Sequence, residues 1–390
     1  LVSDIPVSYQ QCVWSEDGTK ALLTTGGKRV WRYETKNDYS VYSPADGSTR
    51  ELGKGFEPTE LMFAKFSPDA SSVAYVYKNN LYLEDLASGN IRPLTTHGGE
   101  FSVNGTSDWV YEEELDLRDG FRWSPDGEYI AFWNFDTSGT GTFYMINNVD
   151  SIYSKPIPLP YPKAGTTNSA VKIGVVKILD GSIRWFDIPG DPRENYLAVM
   201  DFIPDSDVVM IQQLDRRQQY NTVWYGDVRD MSLTKVYVDH DDAFLNTNDE
   251  IVWLEDGKYF LWMSEKDGWR HLYRVSRDGS SEMLVTRGEF DVISIAKMDV
   301  KGGYVYFYAT PEDDAVHRYL YRSRLDGKKD TERLTPAGFE GSNSYSISAD
   351  AKYAVHTFSN VSTPTYTELV SLPKHKTVKV LEDNAEYKAQ

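Results

Sequence analysis

A strand-rich pattern that returns about every 50 residues constrains the fold of this chain more than any other feature. The stretch His271–Gly279 (HLYRVSRDG) recurs 48 residues later as Tyr319–Gly327 (YLYRSRLDG). In the first half of the chain, short turns centred on Asp17, Asp69 and Asp126 stand between apolar runs at a similar spacing. Turn residues supply the special backbone angles of a hairpin, and the alternating runs beside them supply its strands. Units of this length and content are typical of β-propeller blades.

The sequence therefore predicts an all-β fold, a β-propeller of about seven to eight four-stranded blades over residues 1–380. We expect a truncated first blade, because the chain begins close to the turn that follows Trp14. The gap between the turns at Asp126 and Pro204 exceeds one blade by roughly 25–30 residues, which predicts an extended insertion. A pair of β-sandwiches is the alternative fold, and the 48-residue self-match argues against it.

Charge, cysteine content and hydropathy limit the classes of partner and of site that this chain can have. The formal net charge of −18 argues against a nucleic acid or an anionic membrane surface and is compatible with a cationic ligand. Cys12 is the only cysteine, so no internal disulfide forms and a CxxC metal site is excluded. No apolar run approaches the roughly 18 residues that span a bilayer. Because the chain starts Leu1-Val2-Ser3, we expect it to be a processed piece of a longer protein.

The heptapeptide Asp108–Glu114 (DWVYEEE) is the strongest candidate for a functional site. Three consecutive carboxylates repel one another, and a bound cation offsets this repulsion. Asp108 is expected to cap a short helix that ends near Gly120, and Glu113 and Glu114 then reach a common point beside that helix. Two carboxylates together supply the acceptors that the three donors of an ammonium require. The alternative interpretation is a solvated acidic turn.

The chain shows no catalytic constellation. It contains no Gly-x-Ser-x-Gly nucleophile elbow, so no catalytic residue is expected within it. The six histidines, among them His97, His240 and His356, are scattered among strand and turn patterns and are interpreted as structural or surface residues. They lack ligand spacing such as HExxH, and we expect neither a metal site nor a cofactor.

Several segments spread over most of the chain resemble the N-terminal propeller domain of the dipeptidyl peptidase IV family. They are the heptapeptide Asp108–Glu114, the dipeptide Trp31-Arg32, and the segments Trp123–Gly127, Pro160–Asn168 and Val380–Asn384. The family's Arg-Phe-Arg contact has no clean match in Asp241–Asn246, which leaves the extended second pocket undefined.

The resemblance implies a role for each matched residue. Glu113 and Glu114 would bind the amino terminus of a peptide substrate, and Arg32 would bind the carbonyl group of its second residue. Residues 136–164 would form an arm that helps to build a homodimer. Residues 381–390 would form a linker to an absent α/β-hydrolase domain of the same chain, which would carry the catalytic serine, aspartate and histidine.

We therefore expect the substrate-gating propeller of a serine exopeptidase that releases Xaa-Pro or Xaa-Ala dipeptides, and we expect this piece alone to be inactive. The alternative is a non-catalytic propeller that binds proteins or peptides. A glycosidase fits poorly, because its two carboxyl groups act from separate positions across a sugar. From the absence of disulfides and the composition of the arm, we expect a bacterial periplasmic or secreted protein.

Overall fold

The computed structural model describes residues 9–249, 251–255 and 257–389. These residues form an all-β fold, which confirms the predicted class. The chain divides into two compact units, Leu1–Val238 with Phe244–Thr247 and Asp239–Ala243 with Asn248–Gln390. Within the described residues, pairing between named strands is antiparallel throughout, and most of the strands belong to four-stranded meanders.

The first unit opens with two such meanders, joined by a single pairing between Asn37 and Leu61. Their strands are β1 (Gln11–Trp14), β2 (Ala21–Val30), β3 (Tyr33–Ser43) and β4 (Ser48–Glu51), then β5 (Leu61–Phe66), β6 (Ser72–Tyr77), β7 (Asn80–Asp85) and β8 (Ile91–Pro93). Four paired strands, β1 to β4, stand at the start of the described chain. The truncation of the first blade stays a prediction.

The third sheet of this unit holds the helix with the acidic heptapeptide. Its elements are β9 (Ser102–Asn104), α1 (Trp109–Leu115), β10 (Phe121–Trp123), β11 (Tyr129–Asp136), β14 (Ala170–Lys177) and β15 (Ile183–Trp185). Between β11 and β14 the chain leaves the sheet and forms a separate hairpin of β12 (Thr142–Asn147) and β13 (Lys155–Pro160). This hairpin lies within residues 136–164, the segment that the resemblance treats as an arm.

A fourth sheet completes the strands of the first unit, and three more sheets build the second. The fourth sheet contains β16 (Asn195–Phe202), β17 (Val208–Asp215), β18 (Tyr220–Asp227) and β19 (Leu233–His240). The next two contain β20 (Val252–Leu254), β21 (Tyr259–Ser264), β22 (His271–Ser276) and β23 (Glu282–Leu284), then β24 (Phe290–Asp299), β25 (Tyr304–Pro311), β26 (Tyr319–Arg324) and β27 (Glu332–Arg333). The last contains β28 (Ser342–Ile347), β29 (Tyr353–Asn360), β30 (Thr363–Ser371) and β31 (Lys376–Glu382). The remaining helical segments are a 3₁₀ turn, Glu312–Asp314, and α2 (Ala385–Lys388), so Leu381 and Glu382 belong to a strand.

The same serine–aspartate turn recurs at several hairpins of the described chain. At five turns the serine hydroxyl donates to the aspartate two residues later, at 2.6–2.8 Å, and accepts the backbone N–H five residues later, at 2.9–3.1 Å. The serines are Ser15, Ser67, Ser124, Ser276 and Ser348. These bonds hold the turn between two strands with local contacts alone. The candidate turn at Leu254–Gly257 includes Asp256, which lies outside the described residues.

Each unit has its own aromatic core. In the first unit, Trp133 and Phe135 on β11 are fully buried with Ile173 of the neighbouring strand. In the second, Phe307 and Tyr319 are fully buried between two sheets of that unit. Each such side chain contributes roughly 1.5–3 kcal/mol through removal of its apolar surface from water. The core of the first unit extends to α1 through Tyr111 and thereby positions the acidic heptapeptide.

Candidate functional site

Asp108 starts helix α1 with a side-chain cap, as the sequence predicted. Its Oδ1 accepts the backbone N–H of Tyr111 at 3.0 Å, and its Oδ2 accepts the hydroxyl of Ser169 at 2.6 Å. Asp108 is buried, and this burial raises the pKa of its carboxyl, against which the two hydrogen bonds act. The cap therefore links the start of the helix to the strand entry at β14.

The helix ends earlier than the sequence predicted. Asp116, at φ 49°, adopts the left-handed conformation directly after Leu115, and its N–H donates to the carbonyl of Tyr111. The prediction of a stop near Gly120 is wrong. That glycine serves a close backbone approach instead, because a Cβ atom placed there would lie 2.7 Å from the carbonyl carbon of Gly105.

Tyr111 fastens the helix to the core. Its hydroxyl accepts the backbone N–H of Leu197 at 2.9 Å, while the indole N–H of Trp133 donates to the carbonyl of the same residue at 2.7 Å. The ring of Tyr111 packs edge to face on Phe135, with 4.7 Å between the ring centroids. These contacts hold the acidic helix rigidly against the third and fourth sheets.

The three consecutive glutamates occupy three different environments. Glu112 is 7% exposed, and burial raises the pKa of its carboxyl to about 7, with Arg118 opposing that shift and Glu113 and Asp116 adding to it. Near neutral pH Glu112 therefore spends much of its time uncharged. This reduces the repulsion that three adjacent carboxylates would otherwise exert.

Arg32 and Glu113 meet although 81 positions separate them in the chain. The guanidinium Nη2 lies 2.7 Å from Glu113 Oε1. Arg32 stands at the tip of the β2–β3 hairpin, where Trp31 adopts a positive φ of 54° in a two-residue connection. The side chain of Arg32 is 67% exposed and that of Glu113 is 33% exposed, so both remain accessible to a ligand.

Glu114 is the open carboxylate of the site. It is exposed, and among the described residues it has no hydrogen-bond or ion-pair partner. Glu114 lines a cavity of about 710 Å³ together with the rings of Trp109, Phe143, Tyr161 and Tyr196 and the cations Lys163 and Arg216. The rings of Trp109 and Tyr161 lie 4.3 Å apart, which joins the helix to the segment after the β12–β13 hairpin. A carboxylate beside aromatic walls is an arrangement that suits an organic ammonium group.

The structure thus brings Arg32 and Glu113 into direct contact, and Glu114 follows Glu113 on helix α1 and lines an aromatic cavity. Sequence reasoning missed Glu112 and Tyr111 as the residues that set the electrostatics and the anchoring of the site. The run of apolar and aromatic residues directly before the three glutamates was the available signal. On this seven-residue helix, Tyr111 lies buried while Glu113 and Glu114 are exposed.

Within the described residues, no helix combines the length and the apolar character needed to cross a membrane.

Comparison with known proteins gives a consistent result. Residues 15–365 match the family model for the dipeptidyl peptidase IV N-terminal region. A probable dipeptidyl peptidase 4 from Emericella nidulans is 27% identical over 404 residues, which cover 98% of this chain and 51% of the relative. The dipeptidyl aminopeptidase B of Saccharomyces cerevisiae is 27% identical over 383 residues, covering 94% of this chain and 46% of the relative. The chain therefore spans about half the length of the curated relatives it matches.

Solved structures agree. Dipeptidyl peptidase 4 from Porphyromonas gingivalis superposes with a TM-score of 0.85 at 25% identity, over 99% of this chain and 55% of that one. A putative dipeptidyl aminopeptidase IV from Bacteroides ovatus gives a TM-score of 0.73 at 20% identity over 94% of this chain and 51% of that one, which supports the fold alone. With the family match covering most of its length and the acidic helix in place, this chain belongs to the dipeptidyl peptidase IV N-terminal region family.

Proposed function

We propose that this chain is the substrate-gating and amine-binding part of a dipeptidyl peptidase IV-like serine exopeptidase that releases N-terminal Xaa-Pro or Xaa-Ala dipeptides. In this proposal the four-stranded sheets are blades of a propeller that limits access. An α/β-hydrolase domain of the same protein supplies the serine, aspartate and histidine. Family membership and the names of relatives about twice as long support this assignment.

The arrangement of Arg32, Glu113 and Glu114 carries the proposal. The ion pair with Arg32 orients Glu113, whereas Glu114 keeps both carboxylate oxygens free of protein partners among the described residues. A peptide ammonium has three donors and uses oxygens from both acids. The N–H groups of Arg32 that the ion pair leaves free then donate to the carbonyl of the second substrate residue. The two contacts together hold the amino-terminal dipeptide in one orientation.

This anchor determines where the substrate is cut. Because the anchor lies at a fixed distance from the nucleophile in the assembled enzyme, cleavage falls after the second residue. Charge-assisted hydrogen bonds to an ammonium held by two partly desolvated carboxylates contribute about 2–4 kcal/mol. A substrate with a blocked amine loses this contribution entirely.

Steady-state kinetics of the full-length protein test the anchor. Glu113→Gln and Glu114→Gln each remove a charge without changing side-chain size, and we expect kcat/KM for a free-amine Xaa-Pro substrate to fall by about 10²–10³-fold. The matched control is Glu16→Gln, on an exposed turn near β1, which should leave kcat/KM unchanged. Near-unchanged values for both heptapeptide variants would exclude the amine-anchor role.

The coding sequence beyond Gln390 separates this function from the alternative, a propeller that binds peptides or proteins without catalysis. A Gly-x-Ser-x-Gly elbow between a strand and a helix is the expected finding. Its absence would assign the binding role and remove the peptidase from the proposal.

The proposal includes a homodimer built through the β12–β13 hairpin. Tyr144, Ile146, Ile152 and Tyr153 in and around this hairpin are 59–98% exposed, an unusual amount of apolar surface for one short segment. Sedimentation of the full-length protein with Ile146→Glu should show monomers where the unmodified protein shows dimers.

A bacterial periplasmic or secreted location completes the proposal, and cell fractionation tests it.

A further inference from the structure

A cluster of two histidines and one glutamate lies inside the last sheet, far along the chain from the acidic helix. His356 on β29 is the cross-strand partner of Glu368 on β30, and His375 stands in the turn between β30 and β31. The three residues are 0%, 1% and 7% exposed, and their ligand atoms all lie within 4.8 Å of one another. From the sequence we expected no metal site, because the histidines lack ligand spacing such as HExxH. The three residues of this cluster are 12 and 7 positions apart.

Asn343 determines which nitrogen of His356 carries a proton. Its Nδ2 group donates to the backbone carbonyls of Arg318, Phe339 and Gly341 at 2.9–3.2 Å, so its Oδ1 is an acceptor. His356 Nε2 lies 2.8 Å from that oxygen and must therefore be the N–H donor. The other ring nitrogen, Nδ1, then directs a lone pair towards Glu368 Oε1, 3.1 Å away.

His375 has the same arrangement on the other side of the carboxylate. Its Nδ1 lies 3.1 Å from the hydroxyl of Tyr345, and its Nε2 lies 3.1 Å from Glu368 Oε1. A tyrosine hydroxyl serves as acceptor or donor, so His375 can also present its Nε2 lone pair to the carboxylate. The ring of Tyr345 stacks on His356 at 4.4 Å, and that of Phe339 lies nearly parallel to His375 at 5.5 Å. Both imidazoles are therefore held in orientation by oxygen acceptors and by aromatic neighbours.

This network lacks one positive charge at its centre. The lone pair of a neutral His356 faces a carboxylate oxygen. Glu368 Oε2 is buried without a hydrogen-bond partner among the described residues. Against the effect of burial, the nearby neutral hydroxyl of Thr377 lowers the pKa of this carboxyl. A proton shared between His356 and Glu368 gives a hydrogen bond to that pair alone. A divalent cation accepts the lone pairs of both imidazoles and of the carboxylate at once, and each histidine then donates its remaining N–H to an oxygen.

We propose that His356, Glu368 and His375 form a structural zinc site inside the sheet β28–β31. Two imidazole nitrogens and a carboxylate oxygen are ligands that Zn²⁺ accepts at about 2.0–2.2 Å, and the three ligand atoms lie within 4.8 Å of one another. The complete burial of the ligands gives the ion a stabilising role, as a clamp on β29, β30 and the turn before β31. Binding displaces the proton between His356 and Glu368.

Metal content and thermal stability test this site in the full-length protein. After expression with added Zn²⁺, we expect one Zn²⁺ per chain by elemental analysis. A strong chelator should lower the melting temperature, and Zn²⁺ should restore it. His356→Gln and His375→Gln should lower zinc affinity by more than about 100-fold, while His97→Gln, on an exposed histidine, should leave it unchanged.

Tyr345→Phe is the gentler variant, and it decides the question if the histidine variants do not fold. It removes the oxygen partner of His375 and should weaken zinc binding by about 10–100-fold. A zinc content well below one equivalent in the unmodified protein would overturn the proposal. Unchanged zinc affinity in Tyr345→Phe would overturn it as well. A melting temperature that responds to pH but not to zinc or chelator would assign the shared proton instead of the metal.

Discussion

Replacing Glu112 with glutamine should make the protein more stable at neutral and alkaline pH. Glutamine keeps the size of the side chain and removes its ionisation. Burial raises the pKa of Glu112 from the ordinary 4.5 to about 7, so the folded state holds a proton that the unfolded state has already released. The contribution of Glu112 to the free energy of unfolding is therefore highest below about pH 4.5 and falls as the pH rises, until its loss is complete above about pH 7.

The size of the effect follows from the shift. Each pKa unit corresponds to about 1.4 kcal/mol, so the shift from 4.5 to about 7 sets an upper limit near 3.4 kcal/mol. Nearby solvent screens part of this, which leaves about 1–3 kcal/mol. The unmodified protein should lose this amount between about pH 4.5 and pH 7, and Glu112→Gln should not lose it.

Urea unfolding followed by tryptophan fluorescence, repeated at intervals between about pH 4.5 and pH 8.5, measures the difference. Glu16→Gln is the control, because that exposed residue should leave the pH profile of the unmodified protein intact. If the profiles of Glu112→Gln and the unmodified protein run parallel over the whole range, the assignment of a raised pKa to Glu112 is wrong.

Two further substitutions test the local architecture. Ser124→Ala removes the hydroxyl that donates to Asp126 at 2.6 Å and accepts the N–H of Tyr129 at 2.9 Å. This substitution should lower the free energy of unfolding by about 1–3 kcal/mol. A change below about 0.5 kcal/mol would contradict the structural role of the turn. Gly120→Ala places a methyl group 2.7 Å from a backbone carbon and should destabilise by about 1–3 kcal/mol or more in the same assay. Gly99→Ala, with no heavy atom within 4 Å of the new carbon, should change stability by less than about 0.5 kcal/mol, and equal effects of the two glycine variants would refute the close-approach argument.

Much of the fold could be predicted because its determinants are local. The serine–aspartate turns bond residues two and five positions apart, so the same few residue types produce the same turn wherever they recur. The cap at Asp108 is local in the same way, since its oxygen reaches an N–H three residues later. The stop at Asp116 was missed because aspartate adopts the left-handed conformation much less often than glycine, and Gly120 was the more obvious candidate.

The candidate site was only partly predictable. The heptapeptide identified Glu113 and Glu114, and the resemblance added Arg32, but neither showed that Arg32 would pair with Glu113 rather than Glu114. The buried state of Glu112 depends on how α1 packs against its surroundings, which three identical letters in a row do not reveal. The cluster at His356 depends on the register between β29 and β30, because a slip of one residue would turn His356 away from Glu368.

The amino-acid sequence alone determined the all-β class, the recurrent hairpin turns and the presence of a capped acidic helix. Each of these depends on the composition of a few neighbouring residues. The tertiary structure decided which glutamate is buried, which is paired and which is open, and it brought two histidines to one carboxylate. Burial and contacts between distant residues arise only when strands pack in one register, and they set the desolvation and the charge neighbours on which the chemistry depends.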